Sequence, residues 1–161
     1  MDVVQEWARS GFTVSCDPSK FDFERLHGFL SSSYWSPEIP RETVEKAVAN
    51  SLAFGLFGGE RQIGLARVVT DYATYGYLAD VFVSEGYRGQ GLGKWLMECV
   101  MAHPALQGLR RFGLVTRDAQ GLYQQFGFRE LANPGPHMEI VRPEVYLATV
   151  YLATRPPSTI K

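Results

Sequence analysis

Little in this chain invites metal, disulfide or nucleic-acid chemistry. Only two cysteines occur, Cys16 and Cys99, far apart and without CxxC spacing, so neither a disulfide framework nor a zinc site is suggested. The three histidines, His27, His103 and His137, are equally scattered, and no metal is expected. A net charge of -1 gives no bulk attraction to nucleic acid or to acidic membranes, so any charge-based recognition has to be local. Nowhere do about 18 uncharged apolar residues run together, as a membrane-crossing helix requires. The opening MDVVQEWARSGF also has no apolar stretch after basic residues. The expectation is a cytoplasmic protein with neither nucleic acid nor membrane as partner. Hydrophobic residues at 45% and charged residues at 20% exclude a disordered chain. They fit a single domain over residues 1–161, with a core at about 12–142 and a tail at 143–161.

Glycine, by contrast, is concentrated where a strand must give way to a helix. Residues 77–101 read YLADVFVSEGYRGQGLGKWLMECVM, with Gly89, Gly91 and Gly93 at alternate positions. Glycine tolerates positive φ and lets a bulky ligand approach the backbone. A helix start presents unpaired N–H groups and the positive end of the helix dipole, so this junction suits an anion such as a phosphate.

The rest of the chain arranges itself around that junction. Residues 11–16 alternate as a first strand, ended by Asp17-Pro18. From Asp22, the spacing of Phe23, Leu26, Phe29 and Leu30 predicts a helix that closes in Ser31, Ser32 and Ser33. The segment Tyr34-Trp35-Ser36-Pro37-Glu38-Ile39-Pro40 is a shaped loop whose aromatics serve as core pegs or as pocket walls. A short helix over residues 41–50 precedes a three-strand meander at 52–57, 62–70 and 75–84. A helix bearing Leu92, Leu96, Cys99 and Val100 on one stripe follows the glycine turn and ends at His103-Pro104. Residues 111–116 read as a short strand. Asp118 is expected to cap a helix containing Leu122, Tyr123 and Phe126, which Gly127 stops. After Asn133-Pro134-Gly135-Pro136, a last strand is expected at 137–141. The tail repeats YLAT at 146–149 and 151–154, which suits a sheet edge or a homodimer contact as well as a frayed terminus.

Two nucleotide loops fail against these residues. A triphosphate loop needs GxxxxGK[ST], yet Arg88 stands five positions before Gly93 and Trp95 follows Lys94. A dinucleotide fingerprint needs GxGxxG, and the third glycine here comes one residue early. What remains is RGQGLG at 88–93, entered from an antiparallel meander. This Arg-x-x-Gly-x-Gly pattern resembles the acetyl-CoA signature of the GNAT superfamily of N-acetyltransferases. The run TRDAQGLYQQFGF at 116–128 resembles a second element of that family. The resemblance spans roughly residues 12–141. It implies an α/β (α+β) GNAT fold: a mixed, mostly antiparallel central sheet flanked by helices, in the order β-α-α-β-β-β-α-β-α-β.

The same resemblance implies the chemistry: an acetyl-CoA-dependent acyltransferase in which a primary amine of a small molecule or peptide attacks the thioester directly. The backbone of Arg88, Gly89, Gln90, Gly91, Leu92 and Gly93 would hold the pyrophosphate, with Arg88 and Lys94 adding charge. Val81, Phe82 and Val83 would offer backbone groups to the pantetheine arm, and Thr116, where the family more often has Asn, would add a hydrogen bond. Tyr123 matches the family's general acid, whereas its spacing alone favours a core ring. In Tyr77-Leu78-Ala79-Asp80, Ala79 stands where some relatives have Glu. Asp80 is then the nearest acid, to take a proton through water, bind a cationic amine, or simply hold backbone N–H groups. Tyr34, Trp35 and Glu38, with Asp71 and Tyr72, are the residues offered to the acceptor, since aromatics and acids suit an ammonium group. The competing reading is a non-catalytic acyl-CoA-binding or sensing module, which Ala79 favours and Tyr123 opposes.

Overall fold

A computed structural model describes residues 4–147. Six strands form one sheet in chain order: β1 (Glu6–Arg9), β2 (Phe12–Ser15), β3 (Leu52–Gly58), β4 (Arg61–Thr70), β5 (Tyr75–Val83) and β6 (Arg111–Leu114). Neighbours are antiparallel except for β5 and β6, which are parallel. Four helices accompany the sheet: α1 (Phe23–Ser31), α2 (Arg41–Ala49), α3 (Leu92–Ala102) and α4 (Gln120–Gln124). This is the expected mixed, mostly antiparallel sheet flanked by helices. Among the described residues no helix is long and apolar enough to cross a membrane.

Local signals account for most element ends. The Asp22 carboxylate accepts the Arg25 N–H at 3.1 Å and starts α1, as the sequence suggests. The stripe Leu92, Leu96, Cys99 and Val100 is buried along α3. Side chains then sort onto two faces of the sheet. Val14, Phe54, Leu56, Ile63, Val68 and Leu78 pack with α3 in one cluster. Leu26, Leu30, Val44 and Val48 from α1 and α2 cover Phe57, Leu65 and Phe82 in the other. Burying a side chain of this size contributes about 1.5–3 kcal/mol. Gly64 lies where the strands crowd. A Cβ there would stand 2.6 Å from the Phe82 carbonyl oxygen and 3.1 Å from Leu56 Cδ2.

Three expectations are corrected. The chain enters through a hairpin, because β1 precedes the expected first strand and turns through Ser10 and Gly11, both at positive φ. Asp118 does not cap α4: its cap residue is Ala119, and the Thr116 hydroxyl accepts the Ala119 N–H at 3.1 Å instead. No strand forms at residues 137–141. Met138, Ile140 and Val141 are 95%, 79% and 63% exposed, and the chain makes a turn with the His137 N–H on the Pro134 carbonyl. Strand propensity needs a packed face to act on, and this segment has none. Of the YLAT repeat, Tyr146 packs against the α1–α2 cluster, whereas residues 148–154 lie outside the described ones.

Candidate active site

The paired residues of β5 and β6 end at Leu78 and Leu114, while β5 continues to Val83. Beyond that point β5 has no paired strand on its β6 side among the described residues. A short turn, Glu85–Tyr87, then delivers the chain to the glycine run. Gly89 and Gly91 have φ of 82° and 79°, the left-handed region that favours glycine, and neither has an atom within 4 Å of where a Cβ would be. Gly93 has ordinary φ, so its small size matters more than its freedom. No side chain caps the start of α3. No side chain therefore accepts from its first-turn N–H groups, and such a helix start suits an anion. Arg88 donates Nε–H to the Val83 carbonyl at 2.9 Å, which ties the turn to the end of β5. A cavity of about 150 Å³ lies against the turn and the start of α3, lined by Gln90, Gly91, Leu92 and Trp95 and by Arg9, Ser10 and Phe12 of the first hairpin.

Tyr123 sits at the end of α4, 8% exposed. Gly127, at φ 91°, closes that helix: its N–H reaches the Gln124 carbonyl, and the Phe128 N–H reaches the Tyr123 carbonyl at 3.3 Å. This is the paired-bond glycine ending, complete with its apolar contact, since the Tyr123 and Phe128 rings meet edge-on at 6.0 Å. The ring is thus fixed by the local chain. Burial first, and the neighbouring Tyr34 phenol second, push the Tyr123 phenol above its ordinary value, so it stays protonated at neutral pH.

The other side of the site is assembled from distant segments. Leu65 pairs with Phe82 and Arg67 with Ala79, so Asp80 and Val81 together face Ala66 across a β-bulge. Asp80 occupies the left-handed region at φ 53°, a conformation Asp tolerates better than most residues. Its two oxygens are both engaged: Oδ1 accepts the Trp35 indole N–H at 2.9 Å and Oδ2 accepts Arg67 Nε–H at 2.8 Å. Arg67 also donates to Ser51 Oγ at 3.0 Å. Trp35 continues an aromatic row, with Phe82 stacked on Phe29 at 3.7 Å, Phe29 at 6.0 Å from Trp35, and Tyr34 edge-on to Trp35 at 5.1 Å. The Arg117 guanidinium lies 3.8 Å from the Tyr34 ring centroid.

The sequence-expected residues therefore divide. Arg88 ties the 88–93 turn to Val83, Lys94 stands at the start of α3, Val81, Val83 and Tyr123 belong to one apolar cluster, and Phe82 stacks on Phe29, while Asp80 joins Trp35, which is edge-on to Tyr34. Thr116 stands at the start of α4, its oxygen already accepting a backbone N–H. Asp71 and Tyr72 lie at the β4–β5 turn, roughly 17 Å along β5 from Asp80 at the usual strand rise. Asp71 is spent on that turn: it accepts the N–H groups of Ala73, Thr74 and Tyr75 and the Thr74 hydroxyl, and these bonds hold its carboxyl well below the ordinary range. Glu38 is exposed at φ 63°. Sequence reasoning missed Arg67, Phe29 and Arg117. Arg67 had a signal, as the single charge inside the apolar stretch of β4. Burial pushes both thiols, Cys16 and Cys99, up to about 12, so neither is a nucleophile at neutral pH.

A family model described as an acetyltransferase (GNAT) domain matches residues 50–130, the span from β3 through α4. The chain belongs to the GNAT acetyltransferase family. Among its relatives, a candidate acetyltransferase of Gibberella zeae is 31% identical over 142 residues, covering 74% of this chain and 79% of that one. A solved structure of a candidate GNAT acetyltransferase from Xanthomonas campestris pv. campestris is 46% identical, with TM-score 0.83, over 86% of this chain and 99% of the other. A GNAT acetyltransferase from Elizabethkingia anophelis, solved with acetyl-CoA bound, shares the fold at TM-score 0.59 and 16% identity, over 75% of this chain and 78% of that one. The protein is thus a GNAT acyltransferase, and the unpaired end of β5 and the glycine turn lie in the part that the family model covers.

Proposed function

We propose that this GNAT protein transfers an acetyl group from acetyl-CoA to a primary amine of a small molecule or peptide. The observation that carries the reading is the buried Tyr123 phenol, which burial and the neighbouring Tyr34 keep protonated at neutral pH. Acetyl-CoA fits the donor side. The uncapped α3 start with Gly89 and Gly91 offers N–H groups to phosphates, and the backbone of Val81, Phe82 and Val83 offers strand-like bonding to an extended arm. Acetyl-CoA supplies the thioester whose acyl carbon an amine attacks. Tyr123 keeps a proton at its Oη for the departing sulfur, and an N–H of the β5 end serves the carbonyl oxygen. Protonated thiols at Cys16 and Cys99 favour direct attack over an acyl-enzyme. A cytoplasmic setting and a homodimer belong to the same reading.

The test is a panel of polyamines, amino acids, aminoglycosides and peptide N-termini with acetyl-CoA and free-thiol detection. Thiol release well above background with at least one class is expected. Acetyl-CoA binding without release for any member would favour the sensing module instead.

A further inference from the structure

We infer that Asp80 is a positioning residue: with Arg67 as a fixed counterion, it fastens the acceptor loop to the sheet through Trp35, and it is neither the general base nor an ammonium receptor. The inference rests on the acetyl-transfer reading above and deepens it on the acceptor side.

Geometry argues first. The two Asp80 oxygens are divided between two donors, the Trp35 indole and Arg67 Nε. The Arg67–Asp80 side chains are only 15% and 11% exposed, unlike the other ion pairs of the described residues, all of which stand at 39% or more. Arg67 is held on its other side by Ser51 Oγ, just before β3. Both Asp80 oxygens already accept from protein donors, so a base role would have to break the Trp35 or the Arg67 bond. Nor can the proton be handed on, because both neighbours are donors. As a receptor for an ammonium group, Asp80 offers a charge that Arg67 has already cancelled.

What remains is mechanical. Trp35 bridges the loop after α1 to the bulge of β5, and Tyr34 beside it reaches the neighbourhood of the Tyr123 phenol. The Phe29–Phe82 stack presses the same loop from behind. The latch therefore sets the distance between the acceptor wall, Tyr34 and Trp35, and the acid. Asp80 is suited to the task because it holds a left-handed bulge position while presenting two acceptors.

The experiment compares wild type, Trp35→Phe, Asp80→Asn and the double variant, using the best amine of the panel, together with the ¹H–¹⁵N resonance of the Trp35 indole. Phe keeps a ring and removes the donor. Asn keeps size and left-handed tolerance but turns an amide NH₂ against one of two donors. Each single change is expected to raise the amine KM about ten-fold with kcat within about three-fold, since displacing a positioned group weakens alignment. The double variant should be no worse than either, and the acid limb of kcat/KM should keep its midpoint. Arg67→Gln and Asp80→Asn should both move the indole resonance. A loss of about 100-fold in kcat for Asp80→Asn with disappearance of the acid limb, while Trp35→Phe stays neutral, would make Asp80 the base and overturn the inference. An indole resonance unmoved in both variants would overturn the latch itself. Failure of wild type to acetylate any amine would instead sink the acetyl-transfer reading and the positioning role with it, and the resonance would still report whether the latch exists.

Discussion

The proposed donor side and the proposed acceptor side of this site are built by different means. On the donor side, position is set by the backbone: two glycines at positive φ, an uncapped helix start and a strand that outruns its neighbour. On the acceptor side, it is set by side chains drawn from four separate segments: Trp35 after α1, Ser51 before β3, Arg67 on β4 and Asp80 on β5. A backbone site depends on a few residues that admit no substitute. A side-chain site can drift in sequence while its contacts are exchanged, which is how one donor comes to serve many acceptors within a fold.

The contrast can be broken by substitutions on either side. The largest effect is expected from Gly91→Asp. It sets a carboxylate at the proposed anion site, so acetyl-CoA affinity should fall at least about 100-fold by calorimetry. Unchanged affinity would move the phosphate site elsewhere. Next is Tyr123→Phe, for which kcat should drop about 100-fold while acetyl-CoA binding is preserved. Because burial raises the phenol above its ordinary 10.0, ionisation of Tyr123 removes the acid only above that pH. A fall in kcat near pH 8 traced to Tyr123 would contradict this environment. A smaller effect is expected at Gly127→Ala, where losing the left-handed residue costs about 1 kcal/mol, lowers Tm by about 2–4 °C and reduces kcat a few-fold through Tyr123. The smallest belongs to the thiols: with both pushed up to about 12, a maleimide at pH 7.5 should leave turnover almost unchanged over an hour. Rapid inactivation would reopen a cysteine mechanism.

The same contrast explains what could be read without coordinates. Gly89, Gly91 and Gly127 announce backbone conformations that few other residues adopt, so the turn and the end of α4 were visible in the sequence. The order of the meander and the buried stripe of α3 were visible too, because strand and helix periods differ. Arg67 was missed because a single charge in an apolar strand carries no address for its partner 13 residues on. Asp71 looked like a recognition acid, and only the coordinates reveal that its oxygens are consumed by its own turn. The hairpin at Ser10 and Gly11 escaped notice because β1 is four residues long and mostly exposed. The expected strand at 137–141 erred the other way. HMEIV has suitable side chains, but sheet membership is decided by neighbours that local sequence does not contain.

Gly64 gives this division a practical edge. Any side chain there meets the Phe82 carbonyl at 2.6 Å, so β5 would have to move away from β4 beside the bulge that carries Asp80. In a saturation library selected for turnover, position 64 would then score as intolerant for reasons of packing alone. A map of essential positions drawn from such a screen would place a false catalytic residue in the middle of β4, and only a parallel measurement of folded protein would expose it.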